Sequence, residues 1–146
     1  MRLRDESQTS RQVRVAPAEV PDVQDPRPVL ETSVNGTVTV VGVRCRACGH
    51  SVAYRRPACP VCGAAVAEAT FGPSGIVWSH TRVRIPVGER VPPYDLVYVD
   101  LQDGPRILAH GPAIEDEQAA PAFAIGDVVE LRCLNAAGDP TVQIIA

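Results

Sequence analysis

Apolar and polar residues alternate most clearly between Ile76 and Ile85. Val77, Ser79, Thr81, Val83 and Ile85 fall on one side of an extended chain, and Ile76, Trp78, His80, Arg82 and Arg84 fall on the other. A period of two belongs to a strand with one face on a core, so the first set is expected inward and the second outward. The same period returns from Tyr94 to Leu101, with Val97, Val99 and Leu101 inward. Gln102-Asp103-Gly104-Pro105 is a turn signal that makes Arg106 to His110 the next strand. Beyond a polar, Pro-bounded connection from Gly111 to Ala124, a fourth strand is expected over Val128 to Leu134. Val129, Leu131 and Cys133 share its inner face, and Thr141 to Ile145 forms a fifth strand. Cys133 is accordingly read as a small buried residue. Five short strands interrupted between the third and fourth suit a partly open barrel of the OB type, which disposes of sheet edges by near-closure.

Upstream of the barrel the pattern differs. Thr37 to Val41 and Val43 form a β-branched run after the Asn35-Gly36 turn signal, and this predicts one strand. Residues 1–33 carry Pro17, Pro21, Pro26 and Pro28 with no aromatic residue and no period, the composition of a disordered tail. The segment Ala64 to Thr70 is read as a crossing into the second module. The expected organisation is a tail over 1–33, a small module over 34–70 and a barrel over 71–146, mainly β throughout.

Candidate chemistry enters with Val43 to Gly63. Cys45/Cys48 and Cys59/Cys62 are two C-x-x-C pairs, each followed by glycine, at Gly49 and Gly63. Such a turn aims two sulfurs at one point while glycine takes a backbone conformation that other residues resist. Two turns can therefore close a tetrahedron around Zn²⁺, a rubredoxin-like zinc ribbon. Four protein ligands leave no open position, so the ion is structural. Iron fits the same ligand set and stays open as an alternative. Disulfides suit paired knuckles less well. Arg44, Arg46, Arg55 and Arg56 lie close enough in sequence to offset the excess charge of four thiolates, or to be solvated surface groups.

Charge and composition narrow the function. The net charge is −3, all fourteen basic residues are arginine, and there are only one Trp, two Phe and three Tyr. That balance lacks the basic field and stacking aromatics usual in nucleic-acid binding, although single-stranded nucleic acid remains a reading for any ribbon and OB barrel. No apolar run reaches a membrane span, and Met1 to Gln8 is charged with no signal-peptide core behind it, so the expected location is cytoplasmic. His50, His80 and His110 have no acid or nucleophile at a motif spacing, which argues against a self-sufficient enzyme. OB barrels bind ligands on an outer face and adjoining loops, which here would draw on Trp78, His80, Arg82, Tyr94 and Tyr98.

A four-cysteine ribbon running into an OB-like barrel resembles the zinc-ribbon/OB-fold proteins associated with acyl-CoA enzymes, domain-of-unknown-function family thirty-five. The residues that carry the likeness are C-R-A-C-G at Cys45 to Gly49, C-P-V-C-G at Cys59 to Gly63, G-I-V-W-S-H-T at Gly75 to Thr81, P-P-Y at Pro92 to Tyr94, V-D-L-Q-D-G-P-R at Val99 to Arg106 and I-G-D-V-V at Ile125 to Val129. The resemblance implies a non-catalytic companion of a thiolase-like enzyme or related C-acyltransferase, bridging subunits and helping to accommodate a CoA thioester. Hydratases and aldolases acting on CoA thioesters, including those of steroid side-chain breakdown, are the alternative partners it implies. Residues 1–33 depart from the family pattern, which places helices with aromatic residues ahead of the ribbon.

Overall fold

The computed structural model describes residues 27–145. It is mainly β. In chain order the strands are β1 Val29–Thr32, β2 Val38–Cys45, β3 Ser51–Val52, β4 Val66–Phe71, β5 Ser74–Val83, β6 Tyr94–Leu101, β7 Arg106–His110, β8 Val128–Leu134 and β9 Pro140–Ile144.

β2 organises the first sheet. β1 pairs antiparallel with its first half, from Val29↔Val41 to Thr32↔Val38, and β3 pairs with Val43 and Arg44. β4 runs antiparallel to Val40 through Cys45. Two expectations change here. The tail ends sooner, because Val29–Thr32 forms a strand; its residues 1–26 lie outside the described residues. The crossing segment Ala64 to Thr70 is largely the strand β4, whose weak alternation of Ala and Thr hid it from a hydrophobic pattern.

β5 to β9 close a barrel in the order β5-β6-β7-β9-β8, with β8 returning to β5. Five strands in a closed antiparallel barrel with one parallel contact, His110↔Thr141, give the OB-type architecture. β5 serves two neighbours: Ser74–Ile76 pair with β8, while the length of the strand pairs with β6. It bends to do so at a bulge between Val77 and Ser79. An extra residue at this point raises the local twist and changes which side each later residue faces.

The bulge corrects the phase expected for this strand. Val77 is inward and Ile76 and Trp78 outward, as the alternation predicts. Beyond it Ser79 stands opposite Tyr98, His80 opposite the fully buried Val97, and Arg82 opposite the buried Asp95. His80 and Arg82 therefore share the inner face, while Thr81 and Val83 turn outward. Ile85, expected in the core, lies past the end of β5 and is exposed. A second irregularity, between Arg132 and Leu134, similarly displaces Cys133, which is exposed rather than buried.

Val40, Val77, Val97, Val99, Val129, Leu131 and Val142 are the largest fully buried side chains. The cluster they belong to also contains Val38 and Ala53 from the ribbon, and Phe71 at the end of β4. The boundary expected at 70/71 thus cuts a shared core. The connection after β7 contributes as well. Phe123 is 4% exposed, and it packs where Gly111 has no side chain, since a Cβ there would come within 2.7 Å of its ring. The polar reading of Gly111 to Ala124 missed this plug because a single aromatic residue has no period.

Candidate functional site

Gly49 and Gly63 end the two knuckles at φ of 74° and 72°, and their amides donate to the carbonyls of Cys45 and Cys59. These turns bring four sulfurs together. Cys45 and Cys62 are 3.5 Å apart, Cys48 is 3.6 Å from both Cys59 and Cys62, and all four lie within 4.8 Å of one another. These separations are far too long for disulfides. They are close to the ~3.8 Å edge of a tetrahedron with metal–sulfur bonds of ~2.3 Å. Backbone amides of Ala47 and Cys48 point at the Cys45 sulfur, and that of Val61 at Cys59, each at 3.4 Å.

Electrostatics favour a cation among these sulfurs. The Cys48 amide helps to draw the Cys45 thiol down to about 6. For Cys48 the amide of His50 also favours the thiolate, but the sulfurs of Cys45 and Cys62 outweigh it and push the thiol up to about 12. Four sulfurs this close cannot all ionise beside one another unless a positive ion sits among them, so the donor set fits Zn²⁺. The neighbouring arginines do not supply that charge by direct contact. Arg44 donates to the carbonyls of Gly49 and Asp103 and lies over Phe71, Arg55 pairs with Glu68, and Arg56 lies over Tyr54.

The barrel's outer face is built by β5, β6 and β7. Its cross-strand rows read Val83–Tyr94, Thr81–Leu96–His110, Ser79–Tyr98–Leu108 and Ile76–Asp100–Arg106. Trp78 is half exposed, meets Tyr98 edge-on at 6.3 Å and carries the Arg106 guanidinium 3.7 Å above its ring. Asp100 holds Arg106 with two hydrogen bonds of 2.6 and 3.0 Å. The result is an exposed aromatic and cationic platform with restrained side chains.

The five residues expected on one surface are divided. Trp78 and Tyr98 belong to the platform. Tyr94 lies further along the same face, stacked on His110 at 5.4 Å. His80 is half-buried on the inner face. Arg82 is withdrawn into the barrel mouth, where it grips Asp95 at 2.8 and 2.9 Å and donates to the carbonyls of Ala119 and Ala120. Its removal from the outer surface follows from the bulge.

Between the outer face and the ribbon lies a cavity of about 590 Å³, with Val83, Val87, Tyr94, Leu96, Leu108 and Ala53 among its walls. One end of it is polar. His110 lies 3.4 Å from Asp139, and Asp139 accepts hydrogen bonds from Arg90 at 2.8 and 2.5 Å. Arg90 keeps the Asp139 carboxyl below its ordinary range, and burial holds the His110 imidazole below its own. A second cleft of about 770 Å³, flanked by Arg44, His50 and Arg56, adjoins the first at Tyr54 and Arg106. Sequence reading missed this polar group. Its members stand 29 and 49 positions apart, and the one available signal, Asn135, acts by receiving the amides of Ala137 and Asp139 and so setting the turn that delivers Asp139.

Ligand set and topology define a zinc-ribbon protein built onto a five-strand barrel. The family model described as the ChsH2 rubredoxin-like zinc ribbon domain matches residues 39–67. A DUF35 domain-containing scaffold protein from Pyrococcus furiosus is 37% identical over 82 residues, which are 54% of this chain and 60% of that relative. This chain thus matches less than two thirds of that protein's length. Among solved structures, one described as an Ltp2–ChsH2(DUF35) aldolase aligns with a TM-score of 0.55 at 25% identity, over 73% of this chain and 84% of the other. These likenesses support the DUF35 zinc-ribbon family.

Proposed function

We propose that this chain is a non-catalytic accessory subunit of an enzyme complex that processes acyl-CoA thioesters. The observation that carries the reading is the Trp78–Tyr98–Arg106 platform, an exposed group of the residue types that dominate protein interfaces, held on a rigid barrel. The cysteine cluster supports it from the other side. With Zn²⁺ held by Cys45, Cys48, Cys59 and Cys62 the ion has no open position, so it supplies rigidity rather than chemistry. The relative's description as a scaffold protein and the neighbour's as an aldolase assembly support a hetero-oligomer with an enzyme partner. The aldolase neighbour favours an aldolase-type companion over the thiolase-like or hydratase-like ones.

In this reading Trp78 and Tyr98 meet the partner, which brings the catalytic groups. Among the described residues no helix is long and apolar enough to cross a membrane, and the proposed setting is the cytoplasm. Single-stranded nucleic acid is disfavoured by the net charge of −3.

Co-expression with the proteins encoded beside this chain, followed by affinity purification, tests the proposal. Recovery of an aldolase-, thiolase- or hydratase-type protein in fixed stoichiometry is expected, and Trp78→Ala should release it. Purification of the chain without any such enzyme overturns the reading.

A further inference from the structure

The cavity between the ribbon and the barrel's outer face has a polar end that holds an ion pair. Asp139 is held by Arg90 through two hydrogen bonds and has Arg27 at 3.7 Å. An anionic ligand head placed there would meet the Asp139 carboxylate, and a cationic one would meet the two guanidinium groups. The imidazole between this ion pair and the apolar walls remains available. His110 stands 3.4 Å from Asp139 and makes no hydrogen bond of proper geometry with it. No buried side-chain polar atom is left without a partner among the described residues, so the imidazole nitrogens are not sealed in protein, and His110 is part of the cavity lining. Its largest shift comes from burial, which favours the neutral ring, able both to donate and to accept.

The rest of the cavity is mainly apolar, with Tyr54 and the Asp100-bound Arg106 also in its lining, and it is assembled from separate parts of the fold. Val83, Tyr94, Leu96 and Leu108 come from the barrel, Ala53 from the ribbon and Val87 from the loop after β5. Its volume of about 590 Å³ falls in the range of small-molecule sites, ~300–1,000 Å³. Apolar walls with one convergent polar group select an apolar body with one complementary head.

We propose that this cavity binds an uncharged, mainly apolar small molecule bearing one hydroxyl or carbonyl group, with His110 as its hydrogen-bond partner and the Tyr94 ring as a wall. The site is a property of this chain alone and does not depend on the partner enzyme.

Titration of the zinc-loaded full chain with three probes, followed by calorimetry and by the NMR signals of the histidine rings, tests it. 2-Naphthol has the apolar body and a neutral hydroxyl, 2-naphthoate exchanges the head for a carboxylate, and naphthalene has no head. The expected order is 2-naphthol tightest, with each of the others weaker by about fivefold or more, the discrimination of one hydrogen bond. The His110 ring signals should move with 2-naphthol while those of His50 stay in place. His110→Leu should abolish the preference for 2-naphthol over naphthalene, whereas Trp78→Ala should leave it unchanged. If His110→Leu does not fold, the ring shifts in the unsubstituted protein decide alone. Equal or tighter binding of 2-naphthoate, no binding of 2-naphthol at millimolar concentration, or unmoved His110 signals each overturn the proposal.

Discussion

Arg82 and Asp95 stand opposite each other on the β5–β6 ladder and close a two-pronged ion pair inside the barrel mouth, their side chains 7% and 3% exposed. The pair replaces apolar packing at the open end of the barrel, and its guanidinium also ties down the connection at Ala119 and Ala120. Arg82→Ala is therefore expected to destabilise the fold, because it leaves a buried carboxylate without its partner. Thermal unfolding should show a loss of roughly 10 °C. The double variant Arg82→Met/Asp95→Leu should recover most of that loss, since both charges leave together.

Phe71→Ala should cost about 3–5 kcal/mol, the range for removing a large buried aromatic side chain. Phe71 is 3% exposed and joins the ribbon's Val38 and Val40 to the barrel's core. Denaturant titration should show one transition displaced as a whole for ribbon and barrel. Separate transitions for the two would contradict the shared core.

Cys59→Ser removes one of the four converging sulfurs. Bound zinc should fall from one per chain to a fraction of that under mild chelation, and melting should drop by at least roughly 10 °C, because metal binding is coupled to folding of such modules. Metal analysis and the thiolate-to-metal absorption of the cobalt-substituted protein measure it. A red, iron-containing protein would reassign the ion without changing the ligands.

Acid should weaken the fold in two stages. Burial lowers the His110 pKa, so the folded state disfavours the imidazolium and stability present above the unfolded value of about 6.5 is lost as pH falls below it. Asp100 and Asp139 are held low by Arg106 and Arg90, so their contribution is present above about 3.8 and disappears as pH falls further. Melting temperature against pH should decline in both windows, and His110→Gln should flatten the first without altering the second.

Trp78→Ala, by contrast, should shift melting by less than a few degrees, as half-exposed positions on a sheet face usually do. Partner binding by the purified variant, measured by surface plasmon resonance, should fall at least about tenfold, the loss expected of an interface anchor. Retained affinity would move the partner surface elsewhere.

The barrel was legible because its inward residues keep a period of two through β6 and β7, and because turn residues punctuate the chain at Gln102–Pro105 and Asn135–Pro140. The thiolate cluster was legible from spacing alone. The misplaced faces of β5 and β8 share one physical cause: irregularity in a strand leaves no mark in composition. The bulge at Trp78 moved His80 and Arg82 inward, and the one at Cys133 moved that thiol out. The Arg90–Asp139–His110 group is built by long-range closure, β7 against β9, and no linear spacing encodes it.

Phe71, the last residue of β4, is separated from the first of β5 by only Gly72 and Pro73, while its ring belongs to the core that the barrel shares with β2. Ribbon and barrel are therefore a single heritable part. A recombination event joining this ribbon to a foreign barrel would leave an aromatic ring without its socket.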